Sequence, residues 1–171
     1  MAILVLGGIR SGKTALAERL ASDTNNPVVY LATATAGDDE MRARIQRHQQ
    51  LRPADWGLEE EPLALGQVLA VHANAQSAPC LLVDCMSLWL SNVLHAGEAT
   101  FSREREAFLM QVDRYPGELV IVSNEVGLGT IGMDPLTRRF ADELGWLNQS
   151  LAKLCDKVVM SVAGLPMVLK P

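Results

Sequence analysis

An apolar run, Ile3-Leu4-Val5-Leu6, passes directly into Gly7-Gly8-Ile9-Arg10-Ser11-Gly12-Lys13-Thr14 and then into a helical pattern. Strand, glycine-rich loop and helix in that order are the setting a Walker A P-loop requires, and few other features so narrow what a chain can become. The glycines let backbone N–H groups curl around a β-phosphate at a helix N-terminus. Lys13 reaches the β- and γ-oxygens, and the Thr14 hydroxyl can ligate Mg²⁺. The residues therefore point to a protein that handles nucleotide phosphates, with Gly7, Gly8, Ile9, Arg10, Ser11, Gly12, Lys13 and Thr14 lining the anion site. An ordinary Gly-rich turn is the competing reading, and it leaves the register of strand, motif and helix unexplained.

The remaining apolar, β-rich runs fall at residues 28 to 31, 81 to 84, 119 to 123 and 157 to 162, mostly separated by stretches long enough for crossover helices. Helical patterns are read at 12 to 22, about 38 to 51, about 63 to 73, 86 to 94, 102 to 113 and 136 to 154. In the last, Leu136, Phe140, Leu144, Leu147, Leu151 and Leu154 recur at spacings of three and four and should line one face against a sheet. Residues 52 to 62 read as a loop with a short strand, bounded by Pro53 and Pro62 around Glu59-Glu60-Glu61. With 171 residues, 49% of them hydrophobic, and no repeat or linker, the expectation is one α/β domain, 1 to 171, with a mostly parallel sheet flanked by helices.

Charge narrows the partners. Asp and Glu outnumber Lys and Arg by 20 to 15, for a net charge of −5, which argues against a general nucleic-acid or membrane surface. No apolar run approaches the roughly 18 residues of a membrane span, and no signal peptide precedes the first strand, so a cytoplasmic location is expected. Cys80, Cys85 and Cys155 lack metal-type spacing and read as buried free thiols, and the three histidines form no zinc motif. Mg²⁺ accompanying a nucleotide is the metal these residues imply.

Leu81-Leu82-Val83-Asp84 resembles a Walker B strand, which would deliver the Asp84 carboxylate beside the P-loop to hold the metal or its waters, although an Asp at a strand end also serves as a helix cap. A second such strand, Leu119-Val120-Ile121-Val122, ends in Ser123-Asn124-Glu125 and enters a loop containing Gly127 and Gly129. Glu125 reads equally as a substrate group or a solvated carboxylate. His48 lies four residues from Arg44 and eight from Glu40, one helical face, among Arg42, Arg44, Arg47 and Arg52. A phosphate-facing role and a solvated helical face explain this cationic cluster equally well. Neutral imidazole at pH 7 is also a competent nucleophile toward phosphorus.

Taken together, the segments resemble the bifunctional adenosylcobinamide kinase / adenosylcobinamide-phosphate guanylyltransferase family of cobalamin biosynthesis. The likeness runs nearly end to end. It includes the P-loop, Tyr30-Leu31-Ala32-Thr33-Ala34, Asp39-Glu40-Met41 with Arg44-Ile45 and His48, and Arg52-Pro53 with Trp56. Further on it includes Asp84-Cys85 before Leu88-Trp89 and Asn92, Asn124-Glu125-Val126-Gly127, Arg139-Phe140, Asn148-Gln149 and Val162-Ala163-Gly164-Leu165-Pro166. The P-loop alone is shared by many enzymes, whereas the histidine segment is far more specific. The chain departs from the family pattern at Thr130-Ile131-Gly132-Met133.

The resemblance implies a RecA-like P-loop domain and two reactions. In the first, ATP or GTP phosphorylates the aminopropanol hydroxyl of adenosylcobinamide. In the second, GMP passes from GTP to adenosylcobinamide phosphate, giving adenosylcobinamide-GDP and pyrophosphate. His48 matches the guanylylated histidine of the family. Thr33, Ala34, Thr35, Gln49, Gln50, Leu51, Arg52, Glu60 and Asp84 match nucleotide-contacting positions, with Thr14 and Asp84 on the metal. A homo-oligomer, with a trimer the expected state, is implied in the same way. Two other readings are compatible with the P-loop: a small-molecule kinase without nucleotidyl transfer, which would not need His48, and a nucleotide-gated interaction module.

Overall fold

The computed structural model describes residues 1–34, 53–130 and 132–171. The described elements run β1 (Ala2–Gly7), α1 (Lys13–Ser22), β2 (Val28–Ala32), β3 (Gly57–Glu60), α2 (Leu65–Ala73), β4 (Cys80–Asp84), α3 (Met86–His95), α4 (Glu98–Arg114), β5 (Leu119–Asn124), α5 (Pro135–Leu154), β6 (Lys157–Val162) and β7 (Leu165–Lys170). The helical pattern expected at 38 to 51 lies outside the described residues.

Seven strands form one sheet in the order β3-β2-β4-β5-β1-β6-β7. All neighbouring pairs are parallel except β6 with β7. The central strands are apolar on both faces because both are covered, as parallel sheets require. Period-two alternation divides them: Ile3, Val5, Leu82, Val120 and Val122 meet Leu16, Ala17 and Ala21 of α1. Leu4, Leu6, Leu81, Val83, Leu119 and Ile121 face the opposite layer, built from α2, α3, α4 and α5. Trp89 anchors that second layer, fully buried with its ring centroid 5.3 Å from that of Phe108. Its indole N–H donates to the Leu63 carbonyl at 2.8 Å, so burial leaves no orphaned donor.

Three expectations need correction. α4 begins at Glu98 rather than near 102, because Phe101 is buried and extends the apolar stripe of Phe108 and Val112 by nearly two turns. The α5 stripe does not include Leu136, which is 60% exposed; the buried contacts are Leu144, Leu147 and Leu151. The start of α5 is instead held locally. Asp134 caps it by accepting from Thr137 N–H at 2.8 Å, with Pro135 following at the position where a missing N–H is harmless.

The third correction is β7, an added antiparallel edge strand. Ala163 and Gly164 both have positive φ, 53° and 79°, the geometry of a tight two-residue hairpin turn. Pro166 can sit in this strand because an edge has N–H groups to spare.

Candidate nucleotide and phosphoryl-transfer site

The P-loop joins β1 to α1 at the carboxyl edge of the sheet. Its path needs left-handed backbone at Arg10 (φ 55°) and Gly12 (φ 88°), and alternation of handedness is what turns successive N–H groups inward into an anion-binding nest. Gly7 is required for space: a Cβ there would lie 2.3 Å from Ser11 Oγ and 2.8 Å from the Ser161 carbonyl. Lys13 Nζ donates to the Gly8 carbonyl at 3.3 Å, a long bond that a phosphate oxygen can readily replace.

The opposite end of the chain braces this loop. Ser161 Oγ and Gly164 N–H both donate to the Ser11 carbonyl, at 2.7 and 2.8 Å. The β6–β7 turn presses close enough that a Cβ on Gly12 would meet Gly164 Cα at 3.0 Å.

β4 brings Asp84 to the same edge. Thr14 Oγ1 donates to Asp84 Oδ2 at 3.1 Å, and Tyr30 Oη donates to the same oxygen at 2.9 Å. The two residues assigned to metal from sequence are therefore in contact. Among the described residues, no group of three or more His, Cys, Asp and Glu could hold an ion. A hydroxyl and a carboxylate suit Mg²⁺, which takes one or two protein oxygens and completes its shell with phosphates and water.

Thr33 is fully buried and committed to shaping the Asp84 backbone. Its Oγ1 donates to the Cys85 carbonyl at 2.8 Å and accepts from Cys85 N–H at 2.9 Å, while its own N–H donates to the Asp84 carbonyl at 3.2 Å. Asn92 Nδ2 completes the brace by donating to the Thr33 carbonyl at 2.9 Å. Burial, followed by the charge of Asp84, pushes the Cys85 thiol above its ordinary range. Ala34, half-buried, follows directly.

The acidic triplet is divided by its contacts. Glu59 meets His72 Nε2 at 2.8 Å, and Glu61 Oε1 accepts from Leu63 and Ala64 N–H at 2.8 Å each. Glu60, exposed at the end of β3 and in register with Ala32, makes no side-chain bond among the described residues. Glu125 Oε1 accepts from Gly127 N–H at 2.6 Å, while its own N–H donates to the Gly7 carbonyl at 3.1 Å. Thr35, His48, Gln49, Gln50, Leu51 and Arg52 lie outside the described residues.

Sequence reading assigned no role at the site to Tyr30, Ser161 or Asn148. Asn148 accepts from Ser123 Oγ at 2.6 Å and donates to the Asn124 carbonyl at 3.0 Å, fixing the end of β5. Its polar side chain next to Leu147, inside an apolar stripe, was the available signal.

Fold and site together define a RecA-like P-loop protein that works on nucleotides. Among solved structures, a type III secretion system ATPase aligns over 98% of this chain and 56% of its own at a TM-score of 0.56 and 12% identity. A Pyrococcus horikoshii protein aligns over 99% of this chain and 85% of its own at 0.54 and 11%. At such identities the likeness concerns fold alone.

Sequence carries the assignment further: the chain belongs to the cobinamide kinase / cobinamide phosphate guanyltransferase family, whose model matches residues 3–169. The bifunctional adenosylcobalamin biosynthesis protein CobP of Pseudomonas aeruginosa is 50% identical over 98% of this chain and 96% of its own. CobU of Escherichia coli, of the same description, is 34% identical over 99% of this chain and all of its own. The chain is accordingly an enzyme of cobalamin biosynthesis with kinase and guanylyltransferase activity. No helix among the described residues is long and apolar enough to cross a membrane.

Proposed function

We propose that this chain, as one catalytic domain, phosphorylates adenosylcobinamide and then guanylylates the product. The observation that carries the nucleotide half of this reading is the 3.1 Å bond between Thr14 of the P-loop and Asp84 of the strand carrying the second motif. In the kinase reaction the substrate hydroxyl oxygen attacks the γ-phosphorus of ATP or GTP. The bond to the β–γ bridging oxygen breaks, the nucleoside diphosphate leaves, and the hydroxyl proton is released.

The P-loop N–H groups would hold the β-phosphate, and Lys13 would offset charge on the β- and γ-oxygens through the transition state. Thr14 and Asp84 would hold Mg²⁺, which, when bound, supplies positive charge to the phosphate oxygens. Thr33 would act by fixing the Asp84 backbone, with Ala34, Thr35, Gln49, Gln50, Leu51, Arg52 and Glu60 nearer the nucleotide.

For the second reaction, His48 would attack the α-phosphorus of GTP, forming a P–N bond as pyrophosphate leaves. A phosphate oxygen of adenosylcobinamide phosphate then attacks that phosphorus and releases the imidazole. Two in-line displacements replace one between two polyanions.

Incubation with GTP and Mg²⁺ followed by intact-mass measurement tests this. One GMP should be added per chain through an acid-labile bond, and His48→Asn should abolish the label while phosphorylation of adenosylcobinamide continues. A label retained in His48→Asn, or mapped to Lys13, would overturn the histidine route.

A further inference from the structure

Exposed apolar side chains collect at one place on the carboxyl edge of the sheet. Val126, Leu128, Met133 and Leu136 all fall between the end of β5 and the first turn of α5, and each is exposed, Leu128 by 78% and Met133 by 95%. Ile9, in the P-loop, is exposed by 85%. Exposed aliphatic residues scattered singly are ordinary, but a group of them beside a binding site marks a surface that something covers.

Register places the group. β1 and β5 are parallel neighbours with Gly7 opposite Asn124, so the P-loop and the loop after β5 leave the sheet side by side. The Glu125 N–H donates to the Gly7 carbonyl at 3.1 Å, and the Gly127 N–H donates to Glu125 Oε1 at 2.6 Å. Residues 132 to 134 are packed down on α5. A Cβ at Gly132 would lie 2.3 Å from Thr137 Cγ2, and Arg138 Nη1 donates to the Met133 carbonyl. Met133 thus has a tethered backbone and an outward side chain. Leu136 stands one turn before Phe140 on the same helical face, and Phe140 packs on the core. Leu136 therefore overhangs the carboxyl edge, where open α/β sheets bind their ligands.

Whatever covers this surface lies at the mouth of the phosphate site. The P-loop takes the nucleotide's phosphates, so an acceptor hydroxyl has to meet the γ-phosphorus from outside the loop. The acceptor in the family's description is cobinamide. Cobinamide is a corrin, a wide macrocycle whose faces carry methyl groups and whose rim carries amides. While its aminopropanol hydroxyl reaches the phosphates, its ring must rest on the residues that border the mouth. Aliphatic side chains on two adjoining loops match a methyl-bearing face and leave the rim amides in water.

We propose that Ile9, Val126, Leu128, Met133 and Leu136 form the seat of the corrin ring, an apolar shelf beside the P-loop that holds the acceptor with its hydroxyl toward the γ-phosphate. This rests on the corrinoid reading above and adds where the acceptor binds.

Equilibrium dialysis of the full chain against cobinamide, read by corrin absorbance in the presence of Mg²⁺ and the non-hydrolysable adenylyl imidodiphosphate, tests the assignment. Leu128→Ser combined with Met133→Ser should raise the Kd for cobinamide about tenfold or more. Calorimetric titration should show the Kd for the nucleotide analogue changed by no more than about twofold, because the shelf touches the ring and not the phosphates. Val71→Ser, on an exposed residue near the end of α2 that leads to the amino edge, should leave both values unchanged. The single variant Leu128→Ser decides the matter if the double variant does not fold.

Unchanged cobinamide affinity in the folded variants, or equal weakening of both ligands, would overturn the shelf. A fall in molecular mass on sedimentation would also overturn it, by making this surface a contact between copies of the chain. A wild type that binds the nucleotide analogue but no cobinamide would instead overturn the corrinoid reading itself.

Discussion

Ser161 Oγ lies 2.7 Å from the carbonyl oxygen of Ser11 and donates to it across a separation of 150 residues. Gly164 N–H donates to the same oxygen at 2.8 Å, so the hairpin closing the chain braces the loop that opens it. A non-glycine residue with left-handed backbone stores strain unless its surroundings hold it, and the P-loop has one, Arg10.

Removing one of the two donors should loosen the loop without unfolding the sheet. Ser161→Ala is expected to cost about 1 kcal/mol, a fall of roughly 2–4 °C in Tm, and to raise the KM for nucleotide several-fold. Thermal unfolding beside steady-state kinetics checks both, and a raised KM with unchanged Tm would assign Ser161 a role other than bracing.

At Asp84 two donors, Thr14 and Tyr30, converge on Oδ2. Asp84→Asn should raise the Mg²⁺ concentration needed for half-maximal turnover by about tenfold or more, because an amide is a poor ligand for a hard cation. Tyr30→Phe removes a donor and leaves the carboxylate, so its metal titration should move far less. Identical titrations for wild type and Asp84→Asn would make Asp84 structural.

Lys170 of β7 closes the other end of α5. Its ammonium donates to the carbonyls of Ala152 at 3.3 Å, Lys153 at 3.4 Å and Cys155 at 2.5 Å, where the helix leaves acceptors unpaired and its dipole favours a cation. Lys170→Met keeps much of the apolar stem and should lower stability by about 1–2 kcal/mol, measured by urea denaturation.

The thiols predict alkaline behaviour. Burial pushes Cys80 from an ordinary 9.0 to about 11 and Cys155 to about 12. Above pH 9 the unfolded chain loses these protons while the folded chain keeps them. The unfolded state then binds fewer protons, and stability falls as pH rises toward the folded values. Each thiol contributes a slope on the order of 1 kcal/mol per pH unit in that window. Cys155→Ala should lower stability at neutral pH through lost packing, yet flatten the alkaline slope in urea midpoints. An unchanged slope would remove Cys155 from the account.

Local chemistry was legible in the residues alone. The P-loop, its flanking strand and helix, and the five apolar strand runs follow from short-range pattern, because a parallel sheet covered on both faces demands continuous apolar strands and a phosphate nest demands glycine. Asp84 could be suspected from its strand. Only the tertiary structure decided that its Oδ2 meets both Thr14 and Tyr30, since strand order and register bring those three residues together.

The braces at Ser11 and Asn148 were likewise invisible to periodicity, which describes one element at a time. The hairpin strand β7 was missed because exposed residues leave no burial pattern, even though Ala163-Gly164 marks its turn. Leu136 shows the reverse: its spacing was right for the α5 stripe, yet that end of the helix extends past the core. Spacing determines which residues can share a face; packing determines which of them find something to cover it.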